Sequence, residues 1–209
     1  MTLFNKVKNY PKLGLVLLAY VAFIALGMPD GLLGVAWPSI RTSFSIPLDA
    51  VGMLMFAGTA GYMTSSFLSG QLLARFSVGK VLAASCALTG AVLICYTLVP
   101  SWWMMVVMGV GAGLGAGAID AGLNTYVASH FGEGIMQWLH ASYGVGITLG
   151  PMIMTFALTQ WDSWRIGYRT VGVFQLLLAT CFVLTLTMWD GKKTAAPDEP
   201  KRLTDYRTP

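Results

Sequence analysis

Charge is what this sequence has least of. Only 11% of its 209 residues are Asp, Glu, Lys or Arg, whereas soluble domains carry about 25%. Hydrophobic residues make up 56% of the chain, and the mean hydropathy is +0.66. This composition excludes an ordinary soluble domain and indicates a protein that lies within a membrane.

Cysteine and clustered basic residues are also scarce. The three cysteines, Cys86, Cys95 and Cys181, lie in apolar runs without a CxxC pattern or a histidine partner. They are typical of small hydrophobic side chains, and they exclude a disulfide framework and a zinc site. The basic residues form no patch interleaved with aromatic residues, so nucleic-acid binding is not expected. We therefore expect neither a metal nor another cofactor.

Six apolar runs are long enough to cross a bilayer, which takes about 20 residues of helix. We predict an all-α integral membrane protein with a bundle over residues 13–189, preceded by a cytoplasmic segment 1–12. Residues 190–209 are rich in charge and proline and are predicted to form a cytoplasmic polar tail or linker outside the lipid. The predicted spans are 13–39, 48–73, 79–99, 102–129, 136–160 and 168–189.

Lysine and arginine predict the orientation of these spans. With six spans, both termini and the second-to-third and fourth-to-fifth loops share one side, which carries ten of the 13 basic residues. The other side carries Arg41, Arg165 and Arg169. Because cytoplasmic loops are enriched in Lys and Arg, we expect both termini to be cytoplasmic, in a bacterial inner (plasma) membrane.

The sequence also contains an internal repeat. A shift of 90 positions aligns GMPDGLL (27–33) with GAIDAGL (117–123), and it places Arg75 on Arg165. Three helices per repeat is an odd number, so the second copy is inverted in the membrane. Such 3+3 inverted repeats occur in transporter halves, with binding sites near the bilayer midplane.

Asp30 and Asp120 are the two acids well inside a span. An aspartate at the bilayer centre costs about 2.5–3.5 kcal/mol on insertion scales, so such a residue normally faces a cavity or a polar partner. Both are therefore candidates for proton coupling, and Asp30 is also a candidate for substrate binding. The structural alternative is that each carboxyl group only bridges neighbouring helices.

The fourth span has five glycines at every second position from 109 to 117. At 100° per residue, Gly109, Gly113 and Gly117 share one helical face with Asp120 and Asn124. Glycines four residues apart allow another helix to approach closely, so we predict a helix-packing face that carries an acid and an amide. A dinucleotide-binding loop is excluded by the spacing and by the absence of a preceding strand.

Further polar residues enter the spans. Asn124, His140, Tyr143 and Gln175 are candidate substrate ligands, although an intramembrane histidine serves equally well in a helix–helix hydrogen bond. Tyr62, Ser65 and Ser66 are interpreted as packing residues. An intramembrane hydrolase would use Ser69 and His140, but no oxyanion-binding group accompanies them, so we do not expect an enzyme.

These features resemble the N-terminal half of a major facilitator superfamily transporter. The loop SGQLLARFSVGK (69–80) is similar to the signature of that superfamily at Gly70, Arg75 and Lys80, but it has Ala74 in place of the acid and Ser77 in place of the second glycine. The segment IDAGLNTYV (119–127) is most similar to the fucose permease branch. That resemblance implies proton-coupled symport of a sugar or polyol, with Asp120 as the protonation site and Asp30 near the substrate.

Full members of that superfamily have about twelve helices, so the resemblance covers one half. We expect the partners to be lipid, a small-molecule substrate with protons, and a second six-helix half, either another copy or a separate C-terminal chain. A monomer is not expected to transport. The alternative is a non-transporting half that serves as an assembly partner or scaffold.

Overall fold

The computed structural model describes residues 10–189, and the first three of these are described by their backbone alone. The predicted tail 190–209, and residues 1–9 of the predicted N-terminal segment, lie outside the described residues. Within 10–189 every regular element is helical. The elements are α1 (Tyr10–Phe44), a 3₁₀ turn (Leu48–Ala50), α2 (Val51–Arg75), α3 (Val78–Tyr96), α4 (Trp102–His130), α5 (Glu133–Trp161), α6 (Trp164–Leu184) and α7 (Leu186–Trp189).

The prediction of an all-α membrane fold is confirmed. Five of the helices are long and apolar enough to cross a membrane: Leu13–Phe44 within α1, together with α3, α4, α5 and α6. Helix α2 has sufficient length, with 25 residues, but its serines, threonines, glycines and glutamine make it less apolar. Thr59 and Tyr62 of α2 line a cavity between the helices.

The largest differences between the helices and the predicted spans occur in α1 and α6, and both have local reasons. Helix α1 continues through Pro29 and Pro38 to Phe44, beyond the predicted end at residue 39. The predicted span 168–189 begins earlier, at Trp164, and is interrupted at Thr185. The Thr185 hydroxyl group donates to the Cys181 carbonyl (2.8 Å) and accepts from Trp189 Nε1 (3.0 Å), which fixes the break.

The helices pair in the pattern of an inverted repeat. Helix α1 packs on α5, α2 packs on α4, and α3 packs on α6. The repeat relates α1 to α4, α2 to α5 and α3 to α6. Under this relation the α1–α5 pair corresponds to the α4–α2 pair, and the α3–α6 pair corresponds to itself. The packing therefore has the two-fold relation that the sequence repeat predicts.

The alternating glycines of α4 face two different helices. A Cβ atom on Gly113 would stand 2.8 Å from Tyr62 N on α2, and a Cβ on Gly117 would meet the Tyr62 carbonyl oxygen and Ser65 Oγ. A Cβ on Gly115, two residues away, would instead collide with Thr89 on α3. A step of two residues turns a helix by 200°. Gly113 and Gly117 therefore face α2, whereas Gly115 faces α3.

An aromatic cluster closes one end of the bundle. It consists of Trp37, Phe44, Trp102 and Trp164, whose ring centroids lie 5.5 Å apart for Trp37–Trp102, 6.3 Å for Phe44–Trp102 and 6.2 Å for Phe44–Trp164. Two indoles donate hydrogen bonds, from Trp37 Nε1 to the Leu48 carbonyl (3.1 Å) and from Trp164 Nε1 to Ser43 Oγ (3.0 Å). These bonds tie α1 to the 3₁₀ turn and to α6.

Candidate functional site

A central cavity of about 660 Å³ lies between the repeats. Such a volume suits a small-molecule site, since ligand pockets span about 300–1,000 Å³. Both intramembrane acids reach it although they belong to different repeats. The polar residues that line it include Asp30, Thr59, Tyr62, Asp120, His140 and Tyr143.

Asp120 on α4 accepts a hydrogen bond at each of its carboxyl oxygens. The Tyr62 hydroxyl group of α2 donates to Oδ2 at 2.6 Å, and Asn124 Nδ2, one turn along α4, donates to Oδ1 at 3.0 Å. The 2.6 Å distance is typical of an O–H donor to a charged acceptor. Asn124 is not among the residues that line the cavity, and it reaches the site only through Asp120.

Asp30 on α1 has an equivalent partner on the other side of the cavity. The Tyr143 hydroxyl group of α5 donates to Asp30 Oδ2 at 2.6 Å. The carboxyl group remains exposed on its other side, so it is available to a molecule in the cavity. Tyr143 is thus placed as a cavity residue and as the partner of an acid.

The two acid–tyrosine pairs cross between the repeats. Asp30 of the first repeat bonds to Tyr143 of the second, and Asp120 of the second bonds to Tyr62 of the first. The sequence alone indicates a packing role for Tyr62 and does not reveal it as the partner of Asp120. The 90-residue shift that aligns the acids places Tyr62 on Met152, and therefore the repeat alone does not reveal the pair. The available signal was Gly58, which lies four residues before Tyr62 on the same face of α2.

His140 lines the cavity on α5 and remains exposed. Its ring meets Phe23 edge-to-face, with centroids 5.7 Å apart. This position lets the imidazole contact a molecule in the cavity.

The structure does not bring Gln175 to the cavity. Its side chain on α6 is fully buried, and Nε2 donates to the Ala25 carbonyl oxygen of α1 at 2.8 Å. Ala25 lies four residues before Pro29, which has no N–H, so this carbonyl lacks its helical donor. Gln175 therefore satisfies the backbone group that Pro29 leaves free, one residue before Asp30. The sequence predicts Gln175 as a substrate ligand, whereas in the structure its side chain supports the α1 backbone.

We expect the Gln175→Leu variant to lose about 1 kcal/mol of unfolding free energy, because the Ala25 carbonyl then stays buried without a partner. The measurement is the unfolding midpoint in mixed detergent micelles. In a Pro29→Ala background the same substitution should cost much less, since alanine at this position restores the backbone donor. An equal loss in both backgrounds would contradict the assignment of this bond.

The loop motif lies away from the cavity. Gly70 and Arg75 lie in the last two turns of α2, Lys80 lies in the first turn of α3, and all three are exposed. A Cβ atom on Gly70 would have nothing within 4 Å. Among the described residues, no group of three or more His, Cys, Asp or Glu side chains could hold a metal ion.

Comparisons with known proteins agree with this architecture. A family model described as Major Facilitator Superfamily matches residues 18–208. A glucose/mannose transporter of Bacillus subtilis is 19% identical over 176 residues, which cover 83% of this chain and 44% of the relative. The human sodium-dependent glucose transporter 1 is 25% identical over 144 residues, or 66% of this chain and 27% of the relative.

A third relative, bypass of stop codon protein 6 of Saccharomyces cerevisiae, is 26% identical over 186 residues, covering 83% of this chain and 37% of that protein. The chain therefore spans less than half the length of the curated relatives that it matches.

Proposed function

Because this chain belongs to the Major Facilitator Superfamily, we propose that it forms one six-helix half of a carrier for a small polar solute. The carrier uses proton-coupled alternating access, and the solute is a sugar or polyol. The second half is a further six-helix unit that lies beside it with its termini on the same, cytoplasmic side of the inner membrane. Together the two halves enclose the cavity.

One observation carries this proposal: two intramembrane carboxyl groups share a cavity, and each is bonded to a tyrosine of the opposite repeat. Ionised Asp120 accepts hydrogen bonds from Tyr62 and Asn124. A proton on this carboxyl group removes its negative charge, which weakens the charge-assisted bond from Tyr62. Since that bond joins α2 to α4, proton binding changes a contact between the repeats.

The solute class follows from the lining of the cavity. Asp30 has free acceptor capacity on the cavity side, and hydroxyl groups of a sugar donate readily to a carboxylate. Threonine, tyrosine and histidine side chains supply further donors and acceptors around the same space. Two of the relatives are named for glucose transport, which supports a hexose as the first solute to test.

The test is uptake of radiolabelled D-glucose, D-mannose, L-fucose and D-mannitol into liposomes that contain the full chain. An acidic exterior should raise the initial uptake rate of at least one solute several-fold over equal pH on both sides. Addition of a protonophore should abolish that increase. Uptake that is equal in protein-free liposomes for all four solutes would contradict the proposal and favour the scaffold alternative.

A further inference from the structure

The closed end of the central cavity contains two tyrosines from helices that carry neither acid. Tyr96 is the last residue of α3, and Tyr168 lies in the second turn of α6. Both line the cavity, and their rings meet edge-to-face with centroids 5.8 Å apart and an interplanar angle of 78°. The sequence pattern alone identifies neither residue as a site residue.

Both hydroxyl groups are available to a molecule in the cavity. Tyr96 is 5% exposed and Tyr168 is 2% exposed, yet within the part of the chain that the structure describes neither hydroxyl group makes a hydrogen bond. The Tyr96 hydroxyl oxygen lies 3.4 Å from the position of a Cβ on Gly109, which itself lines the cavity. Neither hydroxyl oxygen belongs to the fully buried polar atoms of the described residues, so both remain open to the cavity and can bond to a molecule bound there.

The surrounding contacts hold these rings in place. Tyr168 meets Trp164 of the aromatic cluster edge-to-face, with centroids 5.9 Å apart. The next residues along the chain, Thr97 and Arg169, bond to each other, since Arg169 Nε donates to Thr97 Oγ1 at 2.9 Å. This bond fixes the end of α3 against the start of α6. The two phenols are therefore preorganised, which reduces the entropy lost when a ligand binds.

We propose that Tyr96 and Tyr168 form a second subsite that binds hydroxyl groups of the solute at the end of the cavity closed by the aromatic cluster. This inference rests on the proposed function. The carboxyl group of Asp30 binds one part of a polyhydroxylated solute, and the two phenols bind a part remote from that carboxyl group. Each phenol can donate one hydrogen bond and accept another, so the subsite selects solutes with hydroxyl groups at that position.

The experiment measures binding of radiolabelled D-glucose, D-mannose, L-fucose and D-mannitol to the full purified chain. For the hexose that binds best, its monodeoxy analogues are used as competitors. Tyr96→Phe and Tyr168→Phe keep each ring and remove only the hydroxyl group. Each variant should raise the Kd of the parent sugar by about tenfold, as expected for one lost hydrogen bond.

The deoxy analogues separate hydrogen bonding from packing. At least one monodeoxy sugar should bind the wild type about tenfold more weakly than the parent, and a phenylalanine variant should cause no further loss for that analogue. Tyr126→Phe is the matched control, because Tyr126 is also buried but packs against Trp189 outside the cavity. The control should bind the parent sugar like the wild type.

The outcomes distinguish the two proposals. If the wild type binds a sugar and both phenylalanine variants bind it equally well, the subsite is wrong while the proposed function stands. If the variants weaken every deoxy analogue as much as the parent sugar, the tyrosines act only through packing, which also overturns the subsite. If the wild type binds none of the four solutes, the solute class of the proposed function is wrong and the subsite is overturned with it.

Discussion

In liposomes with an acidic exterior, the Asp120→Asn variant is expected to equilibrate the solute across the membrane without accumulating it. One proton that moves down a gradient of about two pH units supplies about 2.7 kcal/mol, which sustains at most about a 100-fold concentration ratio. The wild type should approach that limit with its transported solute. The variant should stop at a ratio of about one, because an amide at this position cannot exchange the proton.

The contacts of Asp120 explain why exchange of the solute should survive this substitution. Asparagine has nearly the same shape, and its side-chain oxygen can still accept the Tyr62 hydroxyl group that bonds to Asp120 at 2.6 Å. The protein with bound solute can therefore still alternate the opening of its cavity between the two sides of the membrane. Counterflow, in which labelled solute exchanges for unlabelled solute without net proton movement, is the measurement that separates coupling from binding.

Asp49→Asn is the matched control for this experiment. Asp49 lies exposed in the 3₁₀ turn, outside the residues that line the cavity. It should accumulate the solute like the wild type. Pronounced accumulation by both Asp30→Asn and Asp120→Asn would remove the two acids from the coupling mechanism.

The sequence predicted those features that depend on one helix at a time. Six apolar runs indicated six helices, and the repeat at an offset of 90 residues identified Asp30 and Asp120 as a related pair. The periodicity of α4 placed Asp120 and Asn124 one turn apart on a common face, and the structure joins them by a hydrogen bond at 3.0 Å. Such inferences need only the rise and turn of an α-helix.

The remaining features of the site depend on which helices meet. Tyr62 and Tyr143 become partners of the acids only because α2 crosses α4 and α5 crosses α1. The burial of Gln175 likewise depends on the contact of α6 with the part of α1 that precedes Pro29. The tyrosine pair at the cavity end depends on the contact of α3 with α6. Within a membrane, apolar side chains facing lipid and apolar side chains facing another helix look alike, so hydropathy does not identify these contacts.

The second large effect is expected from a single methyl group on α4. Gly113→Ala should lower the unfolding free energy by about 3 kcal/mol, at the upper end of the usual cost of overpacking. The added Cβ would collide with the Gly58 carbonyl group and would stand 2.8 Å from Tyr62 N. Both are backbone atoms of α2, which cannot turn aside as a flexible side chain would. The two helices must therefore separate.

Gly34→Ala is the matched control, and its expected change in unfolding free energy has the opposite sign. A Cβ atom on Gly34, within α1, would have nothing within 4 Å. Alanine there should stabilise the chain by about 0.5–1 kcal/mol, because glycine is the poorer residue within a helix. Thermal unfolding in detergent, followed by size-exclusion chromatography, compares the two variants. If Gly113→Ala is as stable as the wild type, α2 and α4 do not approach as closely as described.

The same methyl group should also impair proton coupling, because Tyr62 takes part in both contacts. Its backbone nitrogen lies against Gly113, and its hydroxyl group donates to Asp120. Separation of α2 from α4 lengthens a hydrogen bond that is only 2.6 Å long, whereas a general loss of stability would leave that bond intact in the surviving folded protein. In folded Gly113→Ala protein, we therefore expect the acid-driven accumulation ratio to fall more than the counterflow rate. Gly113 and Asp120 of α4 thus both contact Tyr62 of α2.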